Sequence, residues 1–164
     1  MRPTSFFAGT VAAGVFSIGM TMGTASALEL SESADVAASQ SDAWAAIADF
    51  CSIKDWHPVI AECEQFEQDG KTMRTLITGD GGEFLEELNN LDDAGRSMTY
   101  SIIESPLPIS DYVSTIGVAE AGDGATITWS SEFNAAGVSD DEALELMTGI
   151  YRAGLDALMG QLGQ

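Results

Sequence analysis

The chain has 164 residues, 26 Asp and Glu against six Lys and Arg, and a net charge of −20. Such a surface repels phosphate backbones and anionic lipid, which argues against nucleic acid and membranes as partners. The acidity fits solubility or a basic protein partner.

The N-terminus reads as an export signal. Arg2 and the amine give positive charge, an apolar run follows from Phe6 to about Met20, and Ala25-Ser26-Ala27 is a small-x-small cleavage pattern. The run is short and glycine-rich for a membrane span, which needs ~20 strongly apolar residues. Removal of 27 of the 164 residues leaves 137, the size of one domain with a real core. The expected organisation is a signal peptide over 1–27 and one domain over 28–164. The expected location is periplasmic or secreted, with no stable membrane anchor after cleavage.

The mature chain opens with a strand from Leu28 to about Val36. Ser39 with Asp42 predicts a helix cap, after which Trp44, Ile47 and Phe50 share one helical face. Cys51 to Trp56 suits a second short helix, and Pro58 stops it. Six strand-like segments follow, separated by turn signals: Ile60–Gln68, Thr72–Thr78, Glu83–Leu91, Ser97–Glu104, Asp111–Ala119 and Ala125–Phe133. Short connections between them imply an antiparallel meander. Ser139-x-x-Glu142 is a capping box, and Leu144, Met147, Tyr151, Leu155, Leu158 and Leu162 recur at helical spacing behind it. The pattern predicts an α+β fold, in which a long C-terminal helix lies across a curved seven-stranded antiparallel sheet. A straight helix over a concave sheet leaves room for a cavity between them.

Cys51 and Cys63 are the only cysteines. Export permits a disulfide, whereas a reducing compartment would keep thiols, and the residues leave both open. A single His and no second Cys pair argue against structural zinc. No phosphate loop, nucleophile elbow or paired-His motif is present. No cofactor and no metal are expected.

The mature chain resembles the helix-grip superfamily, the START-like or SRPBCC proteins. These include the birch-pollen-allergen fold, START-like lipid carriers, polyketide cyclases and plant abscisic-acid receptors. The matching stretches are Ala43-Trp44 to Asp49-Phe50, Trp56-His57-Pro58, Cys63-Glu64, Glu86-x-Leu88-x-x-Leu91-Asp92-Asp93, Ser101-Ile102-Ile103, Tyr112-x-Ser114-x-Ile116-x-Val118 and Trp129-Ser130-x-x-Phe133. The resemblance implies the helix-grip fold and a ligand cavity. It places His57 where the receptors have a ligand-binding lysine and Glu86 where they have a ligand-facing glutamate. Tyr112 and Ser114 match cavity positions, and the Gly79–Gly82 turn and Ser105–Ile109 loop match the two closing loops. The turn lacks the receptors' proline and the loop lacks their histidine, so a hormone-gated switch is not implied.

The residues expected at a ligand site are therefore His57, Arg74, Glu86, Tyr112, Ser114, Trp129, Met147 and Tyr151. Each has a plainer reading. His57 suits a helix end bonded to a carbonyl, Glu86 a partner for Arg74 or Arg96, Arg74 a surface cation, and the aromatics core. No catalytic residue is assigned. The expected function is extracytoplasmic binding or carriage of an apolar small molecule, with a polar or acidic end. The alternatives are an interaction accessory of a periplasmic dehydrogenase system, docking to a basic protein, and a cyclase- or dehydratase-type enzyme.

Overall fold

A computed structural model describes residues 27–164; the expected signal segment, 1–26 of it, lies outside the described residues. The elements run β1 (Leu28–Val36), α1 (Gln40–Ile47), α2 (Ile53–Trp56), β2 (Ile60–Gln68), β3 (Lys71–Thr78), β4 (Glu83–Asp92), β5 (Ser97–Glu104), β6 (Ile109–Ala121), β7 (Gly124–Ala135) and α3 (Asp140–Leu162). The seven strands form one antiparallel sheet in the order β1-β7-β6-β5-β4-β3-β2. This is the helix-grip arrangement, with α1 and α2 filling the long connection between the two edge strands.

Turn chemistry sets the register. Gln68 pairs with Lys71, leaving Asp69-Gly70 as a two-residue turn with φ of 54° and 78°. Two positive φ values in succession match the twist of the flanking strands, and Asp-Gly tolerates them. The register that follows sets Arg74 of β3 opposite Glu86 of β4.

Alternation then chooses the inner face. On β6 the buried residues are Tyr112, Ser114, Ile116 and Val118; on β7 they are Ala125, Ile127, Trp129, Ser131 and Phe133. Against them α3 lays Ala143, Met147, Tyr151, Gly154, Leu155 and Leu158. Both termini of α3 are satisfied. Ser139 and Glu142 form the capping box, and the carbonyls of Leu162 and Gly163 accept from the N–H groups of Ala38 and Ala37. The last turn of α3 is thereby tied to the end of β1.

Candidate functional site: a cavity between sheet and helix

The site begins with two charges buried in the sheet. Arg74 and Glu86 are 3% and 4% exposed. Arg74 Nε donates to Glu86 Oε2 at 2.6 Å, and Nη2 stands 2.6 Å from the same oxygen. Arg74 Nη1 donates to the carbonyl of Phe50. The guanidinium lies 4.0 Å from the centroid of the Phe50 ring and 4.9 Å from that of Tyr100. Such pairing is what a buried charge requires. Burial pushes the Glu86 pKa upward, and the Arg74 charge and hydrogen bond oppose that.

The residue after Phe50 anchors this corner. Cys51 is bonded to Cys63 of β2, with Cα atoms 5.6 Å apart. The disulfide holds the chain beside Phe50, whose carbonyl caps Arg74, against the free edge of the sheet.

A second buried cluster is neutral and has a forced direction. Ser114 Oγ donates to the Ser130 carbonyl at 2.9 Å. Its lone pairs therefore accept from Trp129 Nε1 at 2.9 Å and from the Tyr151 hydroxyl at 3.1 Å. With its proton spent, Tyr151 accepts from Tyr112 at 2.5 Å. Trp129 Nε1 also lies 3.1 Å from the Tyr100 hydroxyl. The Trp129 and Tyr151 rings are stacked at 4.1 Å and 7°. Burial raises the pKa of Tyr100, Tyr112 and Tyr151 above the ordinary phenol value, so all three stay phenolic at neutral pH.

Between these clusters lies a cavity of about 70 Å³. Its wall includes Glu86, Tyr100, Tyr112, Trp129, Met147 and Tyr151. It adjoins an open groove of about 490 Å³ bounded by Pro58, the Thr78–Gly82 turn, Phe84, Pro106 and Ile150. The cavity and the groove share Val59, Thr78, Phe84, Leu107 and Ile150, so those residues form the partition. Val59 is 47% exposed at the rim.

Of the residues expected at a site, His57, Glu86, Tyr112, Trp129, Met147 and Tyr151 stand at this wall. Arg74 and Ser114 do not, and the expectation is corrected for both. Arg74 is directed into the sheet by Glu86 and Phe50, and Ser114 sits behind the tyrosines as the end of their chain. The expected choice between a cavity-facing and an ion-paired Glu86 is resolved as both at once.

His57 follows its plainer reading while touching the cavity. It closes α2, its Nε2–H donates to the Ile150 carbonyl at 3.0 Å, and Nδ1 accepts from the Val59 N–H at 3.5 Å. That arrangement uses both nitrogens of a neutral ring. Burial lowers its pKa against the opposing pull of the Ile150 bond. A Cβ on Gly154 would stand 2.7 Å from His57 Cδ2 and 2.9 Å from Trp56 Cζ3. Glycine there is what lets α3 approach α2 this closely.

Sequence reasoning missed Tyr100 and Ile150. Tyr100 was accessible from its two-residue spacing to Met98 and Ile102 on β5. Leu107, between two prolines, lies in the Ser105–Ile109 loop that the resemblance offered as a closing loop.

The layers and the gripped cavity define a helix-grip protein. The sequence pattern of the polyketide cyclase / dehydrase and lipid transport family matches residues 27–163, and the chain belongs to that family. The chain is 34% identical to protein XoxI from Bacillus cereus, with a TM-score of 0.77 over 82% of this chain and 94% of that one. The ZhuI aromatase/cyclase from Streptomyces sp. R1128 shares the fold at 19% identity and a TM-score of 0.69, covering 83% of this chain and 93% of its own. A START superfamily protein from Mycobacterium smegmatis does so at 17% identity and 0.70, covering 82% and 96%. None of the curated proteins compared matches the chain.

Proposed function

We propose that the mature domain binds and carries a small, largely apolar molecule outside the cytoplasm. The observation that carries this reading is the cavity with polar groups on its floor, parted from an apolar mouth only by side chains that line both. The inner space is smaller than the several hundred Å³ of a common ligand cleft. Binding therefore draws on the mouth as well, with Phe84 and Leu107 moving aside. Family membership supports binding or cyclase-like chemistry. His57 is a poor general base, because both its nitrogens are engaged and burial disfavours its charged form.

The test is native mass spectrometry of protein from its own host, beside titration with an apolar fluorescent dye. A bound small molecule, or dye uptake that a Leu107→Trp plug abolishes, is the expected result. No bound molecule and no dye uptake would sink the reading. Cell fractionation with N-terminal sequencing checks the export half; a mature chain starting at Leu28 outside the cytoplasm is expected.

A second reading, docking to a basic protein, rests on exposed carboxylates. Glu62, Glu64 and Glu67 stand on edge strand β2, and Asp140, Asp141 and Glu142 crowd the first turn of α3. Such association would weaken steeply with salt, and pull-downs at low and high ionic strength separate it from ligand carriage.

A further inference from the structure

The hydrogen bonds around the cavity can be counted atom by atom, and the count leaves two groups over. Arg74 meets only Oε2 of Glu86. Among the described residues no donor reaches Oε1, and the one sealed side-chain polar atom without a partner is Ser131 Oγ. Glu86 Oε1, also without a partner, thus opens onto the cavity that Glu86 lines. The second group is the proton of Tyr100. Its oxygen accepts from Trp129 Nε1. The neighbouring Ser114 Oγ takes the nearer share of that same single N–H, at 2.9 Å, and also accepts from Tyr151, so both its lone pairs are engaged. Among the described residues no other acceptor is paired with Tyr100, which lines the same cavity.

Among the described residues the neighbouring side-chain donors at the wall are spent. Tyr112 gives its proton to Tyr151, Tyr151 to Ser114, and His57 Nε2–H to Ile150. Among the described residues no free cation faces the space: Arg74 is consumed by Glu86 and Phe50, and both ring nitrogens of His57 are engaged as in a neutral ring. A ligand carboxylate here would meet Glu86 Oε1 with nothing to compensate its charge, and the strongly acidic surface opposes its approach.

Resting on the binding reading above, we infer that the ligand presents an uncharged hydroxyl to this floor, donating to Glu86 Oε1 and accepting from the Tyr100 hydroxyl, with its apolar body directed toward Phe84 and Leu107. A hydroxyl is a donor and an acceptor on one atom, which is the pair of functions the wall leaves unmet. This replaces the acidic end expected from sequence. It assigns Tyr100, absent from the sequence-derived set, as a determinant of which molecules bind.

The experiment compares three probes of equal length, 1-octanol, octanoate and methyl heptyl ether, by calorimetry on the wild-type chain and on Tyr100→Phe. The ether keeps the apolar body and loses the donor. On the wild type, 1-octanol is expected to bind about tenfold more tightly than the ether, the worth of one buried hydrogen bond. Octanoate is expected to be weaker than 1-octanol by roughly a hundredfold, since its charge stays unpaired. Tyr100→Phe is expected to reduce the affinity for 1-octanol and for the ether alike, about tenfold each, since both oxygens accept from that hydroxyl. Octanoate binding as well as 1-octanol, or an alcohol no better than the ether, overturns the hydroxyl assignment while the cavity reading stands. Binding of none of the three overturns both. The wild-type comparison holds even if the variant fails to fold.

Discussion

The two polar clusters beneath α3 satisfy buried groups in opposite ways. On β3 and β4, Arg74 and Glu86 pair as full charges and leave one carboxylate oxygen open to the cavity. On β6, β7 and α3, Tyr112, Tyr151 and Ser114 hand protons in one direction to a backbone carbonyl, and none of those three hydroxyls has a donor left over. A charge pair is costly to bury and severe to break, because the surviving partner cannot shed its charge without a pKa shift. A neutral chain loses only the worth of the missing links. The charged side thus carries both the larger energetic stake and the open acceptor, while the neutral side mainly fixes the shape of the floor.

Four measurements would break or sharpen that contrast. The largest effect belongs to the cation. Arg74→Met strands the Glu86 carboxylate and is expected to cost about 3–5 kcal/mol in denaturant unfolding. Adding Glu86→Leu should recover most of that loss; a double variant as unstable as the single one would contradict the ion-pair account. Next comes the disulfide beside the Arg74 cap. Its sequence separation of 12 residues implies a loss of about 3 kcal/mol for Cys51→Ser with Cys63→Ser, by the chain-entropy relation. The same titration under reducing conditions should reproduce that loss in the unaltered chain.

On the neutral side the effect is smaller. Tyr151→Phe removes the acceptor for Tyr112 and one donor to Ser114, and is expected to cost about 1–2 kcal/mol. A loss as large as that of Arg74→Met would erase the distinction between the clusters. The smallest effect concerns His57. Its folded pKa lies below the ordinary value of 6.5, so the unfolded chain takes up a proton first as the pH falls. The stability His57 contributes is complete above pH 6.5 and declines below it, with a slope of at most about 1.4 kcal/mol per pH unit. His57→Gln should flatten the stability profile just below pH 6.5 relative to the unaltered chain. An identical slope in both would mean that His57 is not held neutral.

Much of the fold was legible in the sequence because its signals are local. Asp69-Gly70, the Gly79–Gly82 stretch and the Ser139–Glu142 box punctuate the chain, and two-residue and helical spacings fill the intervals. The strand edges shifted by a few residues at most. β6 begins at Ile109 rather than Asp111, since a bulge between Ser110 and Val113 absorbs Asp111 at a φ of 53°. Six of the eight expected site residues stand at the cavity, because alternation reveals which face a strand side chain takes. It does not reveal partners. Arg74 and Ser114 were placed on the correct face and given the wrong occupation, since pairing depends on cross-strand register and on what α3 and Phe50 bring from far along the chain.

The sequence by itself determined the order of elements, the turn chemistry and the inward-facing residues, all functions of short-range spacing and side-chain type. Only the tertiary structure decided the size of the cavity, the use of His57 as a helix-end link to Ile150, and the hydrogen-bond count that frees Glu86 Oε1 and the Tyr100 proton. Those depend on how closely α3 approaches the sheet and on which lone pairs are already taken. Such distances, set by packing among residues far apart in the chain, are not encoded in local spacing.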